Sequence, residues 1–143
     1  MKKQITILAL MVLLTVCLAG LASAAVTVNL MSPTNNTWRN DGIANFTFNV
    51  TGSGANWDCN LWHNLSQSWG ADATLSNGSV DNNTVFYFRK TGISDQINGR
   101  WNIRCEEVGD ATTKGFAAKN FTAKFDNTDP AVVIGAPSDK EWF

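Results

Sequence analysis

Apolar and polar residues alternate along several stretches of the chain, with the two-residue period of a β-strand that buries one face. The two clearest stretches each place three apolar residues on one face: Trp57, Cys59 and Leu61 in the first, and Trp101, Ile103 and Cys105 in the second. Because each of these faces carries a cysteine, we expect both strands to contribute to one core. No segment after residue 24 keeps a helical period, so the sequence predicts an all-β fold.

Five further strands are predicted at residues 26–31, 43–50, 71–75, 84–89 and 114–125. Turn-forming residues separate the seven strands, and the pair Asn77 and Gly78 is a strong turn signal. Seven short strands with turns between them are typical of a sandwich of two sheets.

Two of these strands leave a question open. In residues 84–89 the alternation does not decide which set of residues faces the core. In residues 114–125 the apolar residues change from even to odd positions between Ala118 and Phe121. A one-residue shift of this kind is what a β-bulge absorbs, and we expect a bulge near Lys119 and Asn120.

Residues 1–24 have the three parts of a secretion signal. Lys2 and Lys3 are followed by an apolar stretch and by a small-residue cleavage motif that ends at Ala24. The alternative is an uncleaved membrane anchor, because the apolar stretch is nearly long enough to span a bilayer. We therefore predict a secreted or cell-surface protein, which would contact a membrane only if the signal is retained.

The charge of the chain does not indicate a nucleic-acid partner. Loss of Lys2 and Lys3 changes the formal net charge from −1 to −3, and the remaining basic residues are scattered along the sequence. Proteins that bind nucleic acids instead concentrate basic residues in a patch or stripe.

Two cysteines, Cys59 and Cys105, remain after the signal. A disulfide is expected in an exported chain, and the alternative is a pair of buried free thiols. Chain-entropy arithmetic for a loop of about 46 residues gives a stabilisation of roughly 4 kcal/mol, which is an upper value if the reduced chain retains structure.

The pattern Trp101-x-Ile103-x-Cys105, together with the run from Phe125 to Pro130, resembles the immunoglobulin-like repeats of bacterial and archaeal secreted and surface proteins. The resemblance covers residues 25–129 and implies an immunoglobulin-like sandwich of about seven strands. One feature departs from antibody domains, which pair cysteines of the second and sixth strands across the sandwich. Here Cys59 falls on the third predicted strand, so a bridge to the sixth would join neighbours within one sheet.

The C-terminal residues 130–143 repeat the start of the predicted domain. A strand, a proline and a tryptophan five residues later occur at Pro33 and Trp38 and again at Pro137 and Trp142. The alternative is a chance match. A true repeat would make this segment the start of a second, incomplete module in a tandem array. Neighbouring repeats and other surface proteins would then be the expected partners.

Acceptor triplets for N-glycosylation, Asn-x-Ser/Thr, are more frequent than composition predicts. Chance gives fewer than about three in a chain of this Asn, Ser and Thr content, whereas seven are present. The candidate sites are Asn35, Asn45, Asn49, Asn64, Asn77, Asn82 and Asn120. The alternative is that Asn and Thr simply suit turns and wet strand faces.

A weaker binding signal concerns calcium. Asp126 and Asp129 lie at the predicted domain end and supply the oxygen ligands that Ca²⁺ prefers, but Asp110 or Glu107 would have to join them to complete a site. No other cofactor is predicted.

Tryptophan side chains can provide platforms for sugar rings or protein partners. Trp62 lies on the face opposite Cys59, and Trp69 is a short loop away. The two indoles could instead be buried.

Catalysis is not expected. His63 is the only histidine, and the sequence has no phosphate-binding glycine loop and no nucleophile elbow. We therefore expect a non-catalytic structural or adhesive module of a glycosylated surface protein. The alternative is a carbohydrate-binding module that uses Trp62 and Trp69. A secreted hydrolase would need His63 in a cleft with an acid and a nucleophile.

Overall fold

A computed structural model describes residues 26–66 and 68–129, and the predicted signal and the predicted second repeat lie outside these residues. The described residues form nine strands in two sheets and contain no helix, which confirms the all-β prediction and the arrangement in two sheets. The strands are β1 Thr27–Ser32, β2 Thr37–Arg39, β3 Ala44–Thr51, β4 Asn56–His63, β5 Gly70–Asp81, β6 Val85–Lys90, β7 Gln96–Glu107, β8 Asp110–Phe116 and β9 Phe121–Phe125.

The smaller sheet has the order β1-β3-β6, and both pairings are antiparallel. Its central strand β3 buries Phe46, Phe48 and Val50 completely and turns the residues between them outward. Strand β6 turns Phe88 inward and leaves Tyr87 55% exposed, which answers the question that the alternation left open.

The larger sheet has the order β2-β9-β7-β4-β5, and β8 pairs with β7. Strands β4 and β7 lie at its centre and bury Trp57, Leu61, Trp101 and Ile103 against the smaller sheet. Strand β2 runs parallel to β9, whereas the other pairings of this sheet are antiparallel. The buried residues of the two sheets form one hydrophobic core.

The predicted count of seven strands is corrected to nine for two reasons. The short strand β2 was not expected because Thr37–Arg39 is too brief to show a period. The single strand expected at residues 114–125 is divided into β8 and β9, which follow each other along the same edge of β7.

The interruption between β8 and β9 replaces the predicted β-bulge. Buried Asn102 fills the gap: its Nδ2 donates to the Ala117 carbonyl oxygen at 3.1 Å and to Asn120 Oδ1 at 2.8 Å. Its Oδ1 accepts from the Ala117 backbone N–H at 3.1 Å. The Ala117 N–H also donates to the Ile103 carbonyl oxygen at 3.3 Å. Because the Asn102 amide pairs the Ala117 carbonyl, the strand can be broken inside the sheet.

The change of apolar parity that suggested a bulge has a different cause. The core-facing residues keep odd numbers on both sides of the gap, with Ala117 and Ala123 buried. Phe116 is apolar but lies on the outer face, 44% exposed, with its ring centroid 5.1 Å from that of Trp62. The apolar residue at an even position therefore reflects the contact of Phe116 with Trp62 on the outer face, and not a shift of the strand.

The turn predicted at Asn77 and Gly78 is wrong, because both residues lie inside β5. This strand is at the edge of its sheet and has an irregular register against β4. The chain turns later, where Asn83 adopts a positive φ of 61° between β5 and β6. An irregular edge strand tolerates turn-forming residues that a regular central strand would exclude.

Candidate functional site

The disulfide between Cys59 and Cys105 joins the two central strands of the larger sheet. The two residues are direct partners in the β4–β7 register, with Cα atoms 4.1 Å apart, and both side chains are fully buried. The bridge therefore lies within one sheet and does not cross the sandwich. A bond between directly opposed residues fixes the register of these two central strands.

His63, at the end of β4, is fully buried beside an acid from the neighbouring strand. Its Nε2 lies 2.9 Å from Asp72 Oδ2, and its Nδ1 accepts the Leu65 backbone N–H at 3.1 Å. Because Nδ1 is an acceptor, Nε2 carries the proton and donates to Asp72. Both ring nitrogens are thus used in structural bonds, which leaves the imidazole without a free nitrogen to act as a general base.

Asp72 collects four hydrogen bonds in one place. Besides His63, its Oδ2 accepts from Lys90 Nζ at 2.9 Å. Its Oδ1 accepts from the Thr74 backbone N–H at 2.9 Å and from Thr74 Oγ1 at 2.7 Å. Lys90 belongs to β6 of the smaller sheet and Asp72 to β5 of the larger one, so this ion pair connects the edges of the two sheets.

The protonation of this cluster follows from its surroundings. Burial lowers the pKa of His63 below its ordinary value, the hydrogen bond to Asp72 partly offsets this, and the charge of Lys90 adds to the lowering. Burial alone would raise the pKa of Asp72, but the hydrogen bonds from His63, Thr74 and Lys90 outweigh it and hold the pKa well below its usual range. Neutral His63 and ionised Asp72 are therefore the stable forms.

Neither Asp72 nor Lys90 was expected from the sequence. They are 18 residues apart and on different sheets, so no local pattern connects them. The sequence does place His63 and Asp72 close to the two ends of the connection between β4 and β5.

Two of the seven candidate glycosylation sites use their amide nitrogen in the fold. Nδ2 of Asn82 donates to the Gly52 carbonyl oxygen at 3.1 Å, and its Oδ1 accepts the Gly52 backbone N–H at 3.1 Å. Nδ2 of Asn64 donates to the Asn98 carbonyl oxygen at 3.3 Å. Since N-glycosylation uses this nitrogen, a glycan at either position would compete with a structural hydrogen bond.

In the other five sites the amide nitrogen makes no hydrogen bond to any described residue. Each of them is exposed or half-buried at the surface: Asn35, Asn45, Asn49, Asn77 and Asn120. Four of these side chains still accept a bond through Oδ1: Asn35 from the Thr122 backbone N–H, Asn49 from Asn29, Asn77 from the Ser79 backbone N–H and Asn120 from Asn102.

Trp62 and Trp69 have different surroundings. Trp62 is half-buried on the outer face of the larger sheet, where its Nε1 donates to Asn60 Oδ1 at 3.0 Å and Phe116 packs against its ring. Trp69 precedes β5 and is 40% exposed. The aromatic partner of Trp62 is thus Phe116, which is distant in the sequence and is brought beside it by the strand pairing.

The acids considered for calcium do not assemble. Asp126 follows β9, whose last residue pairs with Gln96 at the start of β7. Asp110 and Glu107 lie at the other end of β7, about 36 Å away along a strand of 12 residues. Within residues 26–66 and 68–129 no group of three or more His, Cys, Asp or Glu side chains could hold a metal ion.

Asp126 and Asp129 instead line an open cleft of about 600 Å³ together with Trp38 and Arg39. Asp126 Oδ1 accepts the Thr128 backbone N–H at 3.2 Å, the bond of a local turn.

The described part of the chain contains no helix with the length and apolar character needed to cross a membrane. Comparisons with protein-family models, with curated proteins and with solved structures gave no match. The function therefore has to be argued from the arrangement of residues.

Proposed function

We propose that this chain is a non-catalytic structural or adhesive module of an exported, N-glycosylated surface protein, and that it acts by spacing and display. The observation that carries the proposal is the buried Cys59–Cys105 disulfide at the centre of the larger sheet. Disulfides persist in secreted and surface proteins and are rare in reducing compartments. The secretion signal predicted at residues 1–24 agrees with this compartment.

The strand order supports an immunoglobulin-like module. Strands β1, β3 and β6 would correspond to A, B and E of an immunoglobulin domain, and β9, β7, β4 and β5 to G, F, C and C′. The disulfide then joins C to F, where antibody domains join B to F. Domains of this kind serve as spacers and as binding modules, so neighbouring repeats or other surface proteins are the proposed partners.

The surface supports glycosylation. Five acceptor asparagines keep their amide nitrogen free of hydrogen bonds to the described residues, and none of them is buried. A glycan is bulky and hydrophilic and has to project into solvent, which these positions allow.

Mass spectrometry of the chain recovered from its own host tests the proposal. We expect a mass that lacks residues 1–24, contains one disulfide and includes glycans on sequon asparagines. Peptide mapping identifies the modified positions, and alkylation before and after reduction counts the thiols. A chain that keeps residues 1–24, has no glycan, contains three free thiols and lies in the soluble interior of the cell would refute the proposal.

The second candidate is carbohydrate binding through the outer face of the larger sheet. The observation that favours it is the contact between Trp62 and Phe116, with Asn60, Arg104 and Glu106 on the same face. An aromatic surface beside hydrogen-bonding groups is suited to a sugar ring. Glycan-array binding should be lost in Trp62→Ala and retained in Trp38→Ala, which removes an indole that is 55% exposed elsewhere. If the parent chain binds no glycan on the array, carbohydrate binding is excluded.

A further inference from the structure

The outer face of the smaller sheet brings two glycosylation triplets beside the only tyrosine of the chain. Asn45 and Asn49 lie on one face of β3, about 13 Å apart. Tyr87 on β6 is the direct partner of Thr47, which lies midway between them. Diagonal neighbours on one face of a sheet are roughly 7–8 Å apart, so both asparagines are within reach of the tyrosine ring.

Tyr87 is exposed although it is an aromatic residue within a strand. Its side chain is 55% accessible, and its hydroxyl makes no hydrogen bond to any described residue. The ring contact it has is with its chain neighbour Phe86, at 6.3 Å between centroids. The outer side of the ring is therefore open above the sheet.

A cleft of about 600 Å³ borders Asn45 on this face. Asn45, Thr47, Tyr87 and Arg89 contribute from the smaller sheet, and Arg39 contributes from the end of β2 in the larger sheet. Arg39 is held by Asp41 and by the Ile43 carbonyl oxygen. The guanidinium of Arg89 makes no hydrogen bond or ion pair with any described residue, so it can donate to a ligand.

We propose that Asn45 carries an N-linked glycan whose first sugars pack on the ring of Tyr87 and fill this cleft. The inference rests on the proposed function, because it needs an exported chain that meets a glycosylating enzyme. Carbon–hydrogen groups of a sugar face pack on aromatic rings, and sugar hydroxyls are acceptors for Arg89. The glycan would thus cover a tyrosine that the protein alone leaves exposed.

The covalent step balances without an oxidant. The donor is a sugar carried on a polyprenyl phosphate, and the acceptor is Nδ2 of Asn45. A bond forms between this nitrogen and the anomeric carbon, while the bond from that carbon to the phosphate oxygen breaks. The amide loses one proton to a base of the transferase, and the lipid phosphate leaves with the bonding electrons.

Asn45 is a better acceptor than Asn49 on this face. Asn45 is exposed and makes no side-chain hydrogen bond to any described residue. Asn49 is half-buried, and its Oδ1 accepts from Asn29 Nδ2 at 3.0 Å. The cleft also borders Asn45 and not Asn49.

Nitration of the single tyrosine measures the contact directly. In the glycosylated chain we expect nitration of Tyr87 to be about fivefold slower than in Asn45→Gln, the ratio given by a contact of about 1 kcal/mol. Asn77→Gln, which removes a triplet on the other sheet, should match the parent. Enzymatic removal of the glycans from the parent should restore the fast rate without any substitution.

A thermal measurement separates packing from simple shielding. Deglycosylation should lower the Tm of the parent by about 4 °C and leave the Tm of Tyr87→Ala unchanged. An equal Tm loss in both proteins, or equal nitration rates with Asn45 occupied, would overturn the inference.

Glycan occupancy at the other acceptor triplets distinguishes a failure of this inference from a failure of the proposed function. A bare Asn45 with glycans at other triplets would overturn the inference and leave the proposed function intact. A chain with no glycan at any triplet would overturn both.

Discussion

Replacing Asp72 with asparagine tests whether the buried ion pair holds the edges of the two sheets together. The new side chain would have nearly the same size and could still accept both bonds from Thr74 through Oδ1. Its amide nitrogen would replace Oδ2, which accepts from His63 Nε2 and Lys90 Nζ, each at 2.9 Å. Two donors would then face a donor in a buried site.

The expected loss follows from these bonds. Removing one partner of a buried ion pair costs about 3–5 kcal/mol, since the other charge is left uncompensated. The side chain of Lys90 is 17% exposed, so its ammonium can turn partly towards water. We therefore expect the lower end, a loss of about 3 kcal/mol in the free energy of unfolding.

Urea unfolding at pH 7.5, followed by tryptophan fluorescence, measures this loss. With a slope of about 1.5 kcal/mol/M, the midpoint should fall by about 2 M. The matched control is Asp58→Asn, which removes the same charge from an exposed position on β4 and should change stability by less than about 0.5 kcal/mol. Equal midpoints for the two variants would refute the role assigned to the ion pair.

Three further predictions follow from the same core. Because burial lowers the pKa of the only histidine, the unfolded chain binds its proton first, so stability should fall as the pH drops through about 6.5, by at most about 1.4 kcal/mol per pH unit. His63→Gln should remove this slope from urea midpoints measured between pH 7.5 and 5.5, and a persisting slope would contradict the assignment. Asn102→Ala leaves the Ala117 carbonyl without its partner and should cost about 1–3 kcal/mol by urea unfolding, whereas an unchanged midpoint would show that the gap between β8 and β9 needs no side-chain amide. Replacing Cys59 and Cys105 together with alanine should cost about 2–4 kcal/mol, and a midpoint equal to that of the oxidised parent would show that the bridge adds no stability.

The alternation of apolar and polar residues predicted the central strands and the faces that they bury. The alternation around Cys59 and Cys105 identified two strands and their buried faces, and the structure confirms the two cysteines as direct partners. The alternation around Phe46 and Phe48 did the same for the centre of the smaller sheet. Such patterns are reliable because a half-buried strand forces every second residue into the core, whatever the rest of the chain does.

Residues whose role depends on a neighbouring element could not be assigned in this way. Phe116 looked like a shift of register because its apolar contact, Trp62, comes from another strand on the outer face. Asn77 and Gly78 looked like a turn because their placement in an edge strand depends on the pairing of β5 with β4.

The all-β class, the central strands and the positions of the acceptor asparagines could all be read from the order of residues. The folded arrangement was needed to find that Asp72 meets Lys90 across the two sheets and that Tyr87 lies between Asn45 and Asn49. The physical reason is that these contacts depend on which strand edges and faces come together. The folding of the whole core sets that arrangement, and no period within a single strand records it.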